Sequence, residues 1–181
     1  MMSPLPEFSR TVRVDRMGND GREIVFSANA EERAALAQRF DLADLATLTG
    51  KAQLSRVAGG RIYRLSASFE ADVVQTCVVT LEPMPKRVSD SFTLTFAPAE
   101  EIERPNEVVI GDEEDPPEPL IDGTIDIGEA VAEHLCLALD PFPRKESAVI
   151  PEPYVAKEDF VDNERPHPFA ALAELKKRLE G

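Results

Sequence analysis

The sequence predicts an α+β fold: an antiparallel sheet of about six strands, open or closed into a barrel. A buried helix, an N-terminal-region helix and a C-terminal helix complete it. Three observations predict this. Between Phe8 and Phe96 the apolar residues recur mainly at every second position, the period of half-buried strands. Two capping boxes, Asn29 with Glu32 and Asp126 with Glu129, each precede apolar residues at spacings of three and four. Leu120 to Arg144 holds the one apolar run of helix length, with clear start and stop signals, so a helix packs against the strands.

In chain order, Phe8, Val12 and Val14 share one parity, so Phe8 to Asp15 reads as a strand. Asn19-Asp20-Gly21 then suits a hairpin turn to a partner strand at Glu23 to Ser27. The Asn29 box opens a helix carrying Ala34, Leu36, Ala37 and Phe40, with Leu42 and Leu45 closing its end. Leu54 to Val57 leads through Gly59-Gly60 into a long run, Ile62 to Val74, in which Tyr63, Leu65, Ala67 and Phe69 share a face. Val73 to Leu81 is apolar on both sides and reads as a central strand that Pro83 and Pro85 end, since proline cannot donate to a ladder. Val88 to Phe96 alternates again, up to Pro98.

Residues 99–119 break this pattern. Glu100 to Glu118 holds nine acids against the single Arg104, and Val108 to Ile110 is the one short apolar stretch, suited to an edge strand inside a flexible acidic loop. The helix after it is the most apolar in the chain. Asp122-Gly123 reads as a tight turn, Asp126 as the cap, and Pro141 and Pro143 stop the helix near Leu139. Ile127, Ala130, Val131, His134, Leu135 and Ala138 lie on one face, with Cys136, Leu137 and Leu139 on the flanks, so burial on more than one side is expected. The domain organisation that follows is a single α+β domain over 1–144, a polar linker over 145–167 and a C-terminal helix over 168–181. That last helix has Pro168 at its first position and Phe169, Leu172, Leu175 and Leu179 as its stripe.

The net charge is −14, and it is not evenly spread. Residues 1–98 are neutral, with twelve acids and twelve bases, so the excess lies beyond them. Such acidity opposes phosphate backbones except where a local basic patch overrides it, which argues against DNA. Two distant cysteines in apolar surroundings, Cys77 and Cys136, point to buried thiols of a reduced, cytoplasmic protein. The N-terminus lacks the apolar core of a secretory signal and no run reaches membrane-spanning length, so a soluble protein is expected.

Three blocks resemble one known family. CVVTLEP at residues 77–83 resembles the cysteine-leucine-glutamate-proline signature of the YceD-like family, the large ribosomal RNA subunit accumulation proteins. PLIDGTIDIGEAVAEHLCLALDPFPR is similar to its central block, and PFAALAELK to its C-terminal signature. The resemblance runs from about Asp72 to Lys176, in the family's order. It implies a bacterial, cytoplasmic role in the synthesis, processing or stability of 23S ribosomal RNA, and hence in large-subunit assembly. It marks Cys77, Leu81, Glu82, Pro83, Asp122, Gly123, Asp126, Glu129, Pro143 and Arg144. Many relatives carry a second cysteine three residues after the first; Thr80 stands there instead, so no zinc, and no other cofactor, is expected.

The expected activity is that of a non-enzymatic assembly factor. Its partner is precursor ribosomal RNA, a basic large-subunit ribosomal protein, or both. RNA would meet a basic patch if Lys51, Arg56, Arg61 and Arg64, with Lys86 and Arg87, gather on one sheet face; no aromatic stacking signature accompanies them. A basic protein would meet the acidic run, and Arg144, leaving a helix end beside two prolines, is the best single exposed contact. Two other classes compete. A metal-dependent hydrolase or nuclease would use the carboxylates Asp122, Asp126, Glu129 and Glu133, although capping already accounts for two of them. An acidic protein-binding module unrelated to ribosomes is the other. His134, on the apolar face without a second ligand at metal-binding spacing, reads as a core histidine. Cys77, with no basic or histidine neighbour in sequence, reads as a structural thiol.

Overall fold

The computed structural model describes residues 6–17, 21–57, 61–102 and 116–149. The chain divides into two compact units, Met1–Glu146 and Ser147–Gly181. The expected edge strand at Val108 to Ile110 and the C-terminal helix lie outside the described residues.

Seven strands and three helices are described. They are β1 (Thr11–Arg13), β2 (Arg22–Ser27), α1 (Ala30–Arg39), β3 (Asp44–Arg56), β4 (Tyr63–Thr76), β5 (Pro83–Ala97), α2 (Ala99–Ile102), β6 (Glu118–Pro119), β7 (Thr124–Asp126) and α3 (Ile127–Ala138). A single 3-10 turn, Val14–Arg16, follows β1. The main sheet has the order β2-β3-β4-β5-β6, antiparallel except for the parallel two-residue contact of β5 with β6. It is an open sheet, not a barrel. The period-2 signal is identical for both, because closure depends on strand tilt and stagger rather than on parity.

One face of this sheet carries the core. Strand β4 alternates over its whole length, with Tyr63, Leu65, Ala67, Phe69, Ala71 and Val73 buried. Their cross-strand partners Leu54, Ala52, Leu48 and Phe92 are buried beside them. Helix α1 brings Leu36 to this face, and α3 brings Ile127, Val131 and Leu135, all fully buried. Burying such side chains supplies roughly 1.5–3 kcal/mol each, the main force holding helices to sheet. At Gly50, opposite Phe26, a Cβ would stand 2.5 Å from the Phe26 ring, so the missing side chain gives that ring its place.

Three expectations about strands are corrected. The N-terminal strand does not form a hairpin with β2. It pairs with β7 in a separate two-stranded sheet, Val12 opposite Ile125, while β2 pairs with β3. Burial explains the choice: Val12 and Ile125 are both buried there, above the first turn of α3. Second, no separate strand spans Val73 to Leu81. β4 ends at Thr76, Cys77 to Glu82 turns, and β5 begins at Pro83 itself. The prolines are tolerated because β5 is the sheet edge there, β6 reaching only Phe96 and Ala97. Third, β3 begins ten residues earlier than the Leu54 to Val57 run suggests, at Asp44.

Helix α3 ends where the prolines require, but it is less enclosed than its composition implies. Leu137 is 77% exposed and Cys136 is exposed, correcting the expectation of two buried thiols; only Cys77 is buried. Among the described residues, no helix is long and apolar enough to cross a membrane.

Candidate functional site

The sequence-marked residues separate into a junction and a corner. The junction joins the N-terminal segment to the start of α3. Asp122 and Gly123 both adopt positive φ, +50° and +66°, the signature of a type I′ turn between Ile121 and Thr124. That turn delivers β7 to β1, and Asp126 follows at its end. The Asp126 carboxylate accepts the amides of Gly128 and Glu129, as a cap does, at 3.0 and 3.3 Å. It also accepts the Arg10 amide at 2.7 Å and the Ser9 hydroxyl at 2.6 Å. Gly128 is needed beside it, since a Cβ there would lie 2.5 Å from the Phe8 carbonyl oxygen.

Glu129 does not complete a capping box, a correction to the sequence reading. Its two oxygens accept from Arg39 at 2.7 and 3.0 Å, and Arg39 also binds Glu7. A bidentate guanidinium outcompetes a single amide for a carboxylate. The first box, at α1, forms as expected: Asn29 accepts from the Glu32 amide at 2.9 Å and Glu32 from the Asn29 amide at 2.8 Å. Glu32 additionally takes both Arg10 terminal nitrogens, at 2.7 and 2.9 Å. Hydrogen bonding from Arg10 holds the Glu32 carboxyl below its usual range.

The corner unites the Cys77–Pro83 block with the end of the central block, 63 or more positions later. Val78 donates its amide to the Pro143 carbonyl at 2.8 Å. Gln75 donates its side-chain amide to the Asp140 carbonyl at 2.8 Å, and Lys145 meets Glu82 at 2.7 Å. Hydrogen bonding to Lys145 keeps the Glu82 carboxyl low. Inside the turn, the Leu81 amide reaches the Cys77 carbonyl and the Cys77 amide the Glu82 carbonyl, both at 2.9 Å. Cys77 is inaccessible to solvent, and its sulfur accepts the Thr80 amide at 3.4 Å. The Thr80 side chain first, then the Lys145 amide and those of Thr80 and Val79, bring its thiol down to about 6 against the opposing effect of burial. The neighbours that do this come from the fold, where the sequence offers no basic residue or histidine.

The corner pairs its polar groups with one another and shows apolar ones beside them. Val78, Leu81 and Phe142 are 52%, 75% and 76% exposed. Leu81 is held at φ +58°, a left-handed conformation that costs a side-chain-bearing residue roughly 1–2 kcal/mol. Pro143 is buried, and Arg144 and Pro83 are exposed.

The other candidates disperse. His134 is half-buried, stacked on Phe92 with ring centroids 3.7 Å apart, its Nδ1 3.6 Å from Asp90. Among the described residues no three His, Cys, Asp or Glu side chains come together as a metal set. The expected basic patch is not gathered on one face. Lys51 and Arg64 lie on the face opposite the core, Arg56 sits over the Tyr63 ring on the other, and Arg61 is in a loop 3.7 Å from Glu100. Lys86 shares the core-side parity of Val88, whereas Arg87 binds Asp72 at 3.3 Å and Glu70 at 3.7 Å on the open face. Sequence reasoning missed Ser9, Arg10, Arg39, Gly128 and Lys145, whose roles rest on partners at least 22 positions away; only the glycine inside a helical run gave a signal.

The face opposite the core is uncovered by α1 or α3. Its rows, read across β2 to β5, are Val25-Lys51-Ser68-Ser91, then Ser27-Thr49-Glu70-Ser89, then Glu23-Gln53-Ser66-Thr93. The first two rows line a shallow concavity of about 810 Å³, and the third a smaller one of about 420 Å³ beside it.

Compared with known proteins, the family model described as Large ribosomal RNA subunit accumulation protein YceD matches residues 65–176, more than half of the chain. No curated protein and no solved structure matches.

Proposed function

The chain belongs to the YceD family of large ribosomal RNA subunit accumulation proteins, and from that premise we propose that it supports 23S ribosomal RNA and large-subunit assembly by binding, without catalysing a reaction. One observation carries this reading. The family blocks pair polar groups with one another at the corner, and beside those pairs they present the apolar trio Val78, Leu81 and Phe142 on two zipped loops. Catalysis asks for polar groups aimed at a reacting atom; a rigid apolar corner suits an interface. A strained Leu81 at its tip supports the same reading, because backbone strain concentrates where function needs a side chain displayed. The corner suits a protein neighbour in the assembling particle, and the acidic run of residues 100–118 suits a basic one, as ribosomal proteins are.

The competing hydrolase or nuclease would need Asp126 and Glu129 available to a metal or a water. Both oxygens of each are engaged, by Ser9, Arg10 and the α3 amides in one case and by Arg39 in the other. The experiment is the ratio of 23S to 16S ribosomal RNA in cells depleted of this protein. We expect a selective fall in 23S, restored by the wild type and not by Leu81→Asp or Arg144→Ala. An unchanged ratio on depletion would sink the ribosomal reading.

A further inference from the structure

We propose that the face of the main sheet left open by α1 and α3 binds an RNA strand through its sugar-phosphate backbone, with Lys51 and the hydroxyls around it as the contacts. This rests on the ribosomal reading above and adds to it the surface and the partner.

The chemistry of the face is specific. Lys51 stands between Val25 and Ser68 in its row, exposed, and its ammonium has no ion-pair partner among the described residues. Arg87, by contrast, is spent on Asp72 and Glu70. Beside Val25 and Gln53, the positions around Lys51 carry hydroxyls: Thr49 along its own strand, Ser68 opposite, and Ser91 and Ser89 one strand further. A hydroxyl both donates and accepts, so it can serve a phosphate oxygen or a ribose 2′-OH. Glu70 in the same concavity only accepts. A carboxylate repels phosphate but takes a hydrogen bond from a 2′-OH, which DNA lacks. The pair Lys51 and Glu70 therefore favours ribose over deoxyribose.

Charge permits the approach. On a chain of net charge −14 this face is close to balanced, Lys51, Arg64 and Arg87 against Glu23, Asp44, Glu70 and Asp72. It is a nearly neutral window, with Lys51, unpaired among the described residues, at its centre, through which a polyanion meets little repulsion. Among the described residues no aromatic side chain lies on this face, so bases have nothing to stack on. Recognition there is of backbone, tolerant of sequence and sensitive to salt.

The test uses the full chain and a single-stranded RNA oligonucleotide, with DNA of the same sequence, followed by fluorescence anisotropy over a salt series. Lys51→Ala should weaken RNA binding roughly tenfold, the loss of one charge-assisted hydrogen bond. It should lower the slope of log K against log salt by about 0.7, the value for one phosphate contact on a single strand. Arg13→Ala, an equal change in net charge at an exposed site off this face, should bind as the wild type does. Several results overturn the proposal: no RNA binding by the wild type, equal affinity for DNA, unchanged binding by Lys51→Ala, or equal loss in Arg13→Ala. So does cross-linking of this face to a protein instead of RNA in the cell. The two readings fail separately. If depletion lowers 23S and Lys51→Ala restores it fully, the face is not the contact and the assembly role stands; if depletion leaves 23S unchanged, the role falls and the anisotropy still judges the face.

Discussion

The carboxylate of Asp126 holds the hydroxyl of Ser9 at 2.6 Å, across 117 positions of sequence. A helix cap here doubles as the lock on the N-terminal strand. Asp126→Ala removes a cap worth about 1 kcal/mol and strands the Arg10 amide, worth about 1–3 kcal/mol more. We expect a total loss of roughly 2–4 kcal/mol in urea unfolding, with Asp126→Asn losing less. Wild-type stability in Asp126→Asn, together with loss of a Mg²⁺-dependent activity, would instead give this carboxylate to catalysis.

Gly128→Ala gains helix propensity but drives a Cβ against the Phe8 carbonyl and the Arg10 amide, at 2.5 and 2.9 Å. Both are backbone groups, which cannot swing aside. Net destabilisation of about 1–3 kcal/mol is expected. A variant as stable as the wild type in the same urea assay would mean that the N-terminal segment does not lie there.

The ion pairs give stability a pH dependence of known sign. Glu7 and Glu32 have folded-state pKa values below their ordinary ones, Glu7 mainly through a backbone hydrogen bond and Glu32 mainly through Arg10. Their contribution is complete above the unfolded carboxylate value, roughly 4.3, and is lost as pH falls through the lower folded values. Unfolding free energy should drop as pH falls from about 5 to about 3, and Arg10→Ala should shrink that drop. An equal drop in Arg10→Ala would take Glu32 out of the account.

Cys77 gives a dependence of the same sign at higher pH. With its folded pKa lowered to about 6, its thiolate adds stability at high pH that fades as pH falls through that value. In a Cys136→Ser background, thiolate absorbance should rise with a midpoint near pH 6, and Thr80→Val should move the midpoint upward. Alkylation of the wild type should mark exposed Cys136 before buried Cys77. A midpoint in the ordinary thiol range, about 8.5, would contradict the hydrogen bonding at the corner.

Leu81→Gly separates display from folding. Glycine tolerates φ +58° without the Cβ clash, so the variant's unfolding free energy should match or slightly exceed that of the wild type, by up to about 1 kcal/mol. It should nonetheless fail to restore 23S in depleted cells. Full restoration would remove Leu81 from the interface.

What the sequence made legible was local. The alternation of β4, the Asn29 box, the Asp122-Gly123 turn and the end of α3 at Pro141 are written in neighbours a few positions apart. Pairing is not. The hairpin expected between the N-terminal strand and β2 failed because β1 chooses Ile125 over any near partner, a choice made by shared burial. Pro83 and Pro85 misled because a proline's meaning depends on whether its strand is central or at an edge. Glu129 carried the right residue type for a box and found Arg39 instead, 90 positions away. The site followed the same division: the motif residues stood out, whereas Lys145, Ser9 and the hydroxyl rows emerged only once strands were in register.

The pairing of β1 with β7 also sets a timetable. Strands β2 to β5 are joined by consecutive connections and can assemble as they leave the ribosome, yet residue 13 must wait for residue 124. At ordinary rates of synthesis that wait is roughly 6 to 20 s. During it the apolar side of the sheet has α1 but neither β1 nor α3, and Phe8, Val12 and Phe92 stay uncovered. The hydroxyl-bearing side needs no cover at any stage. A nascent chain of this protein is therefore sticky on one side only, and delays in translation between β5 and α3 are the ones that would expose it to aggregation.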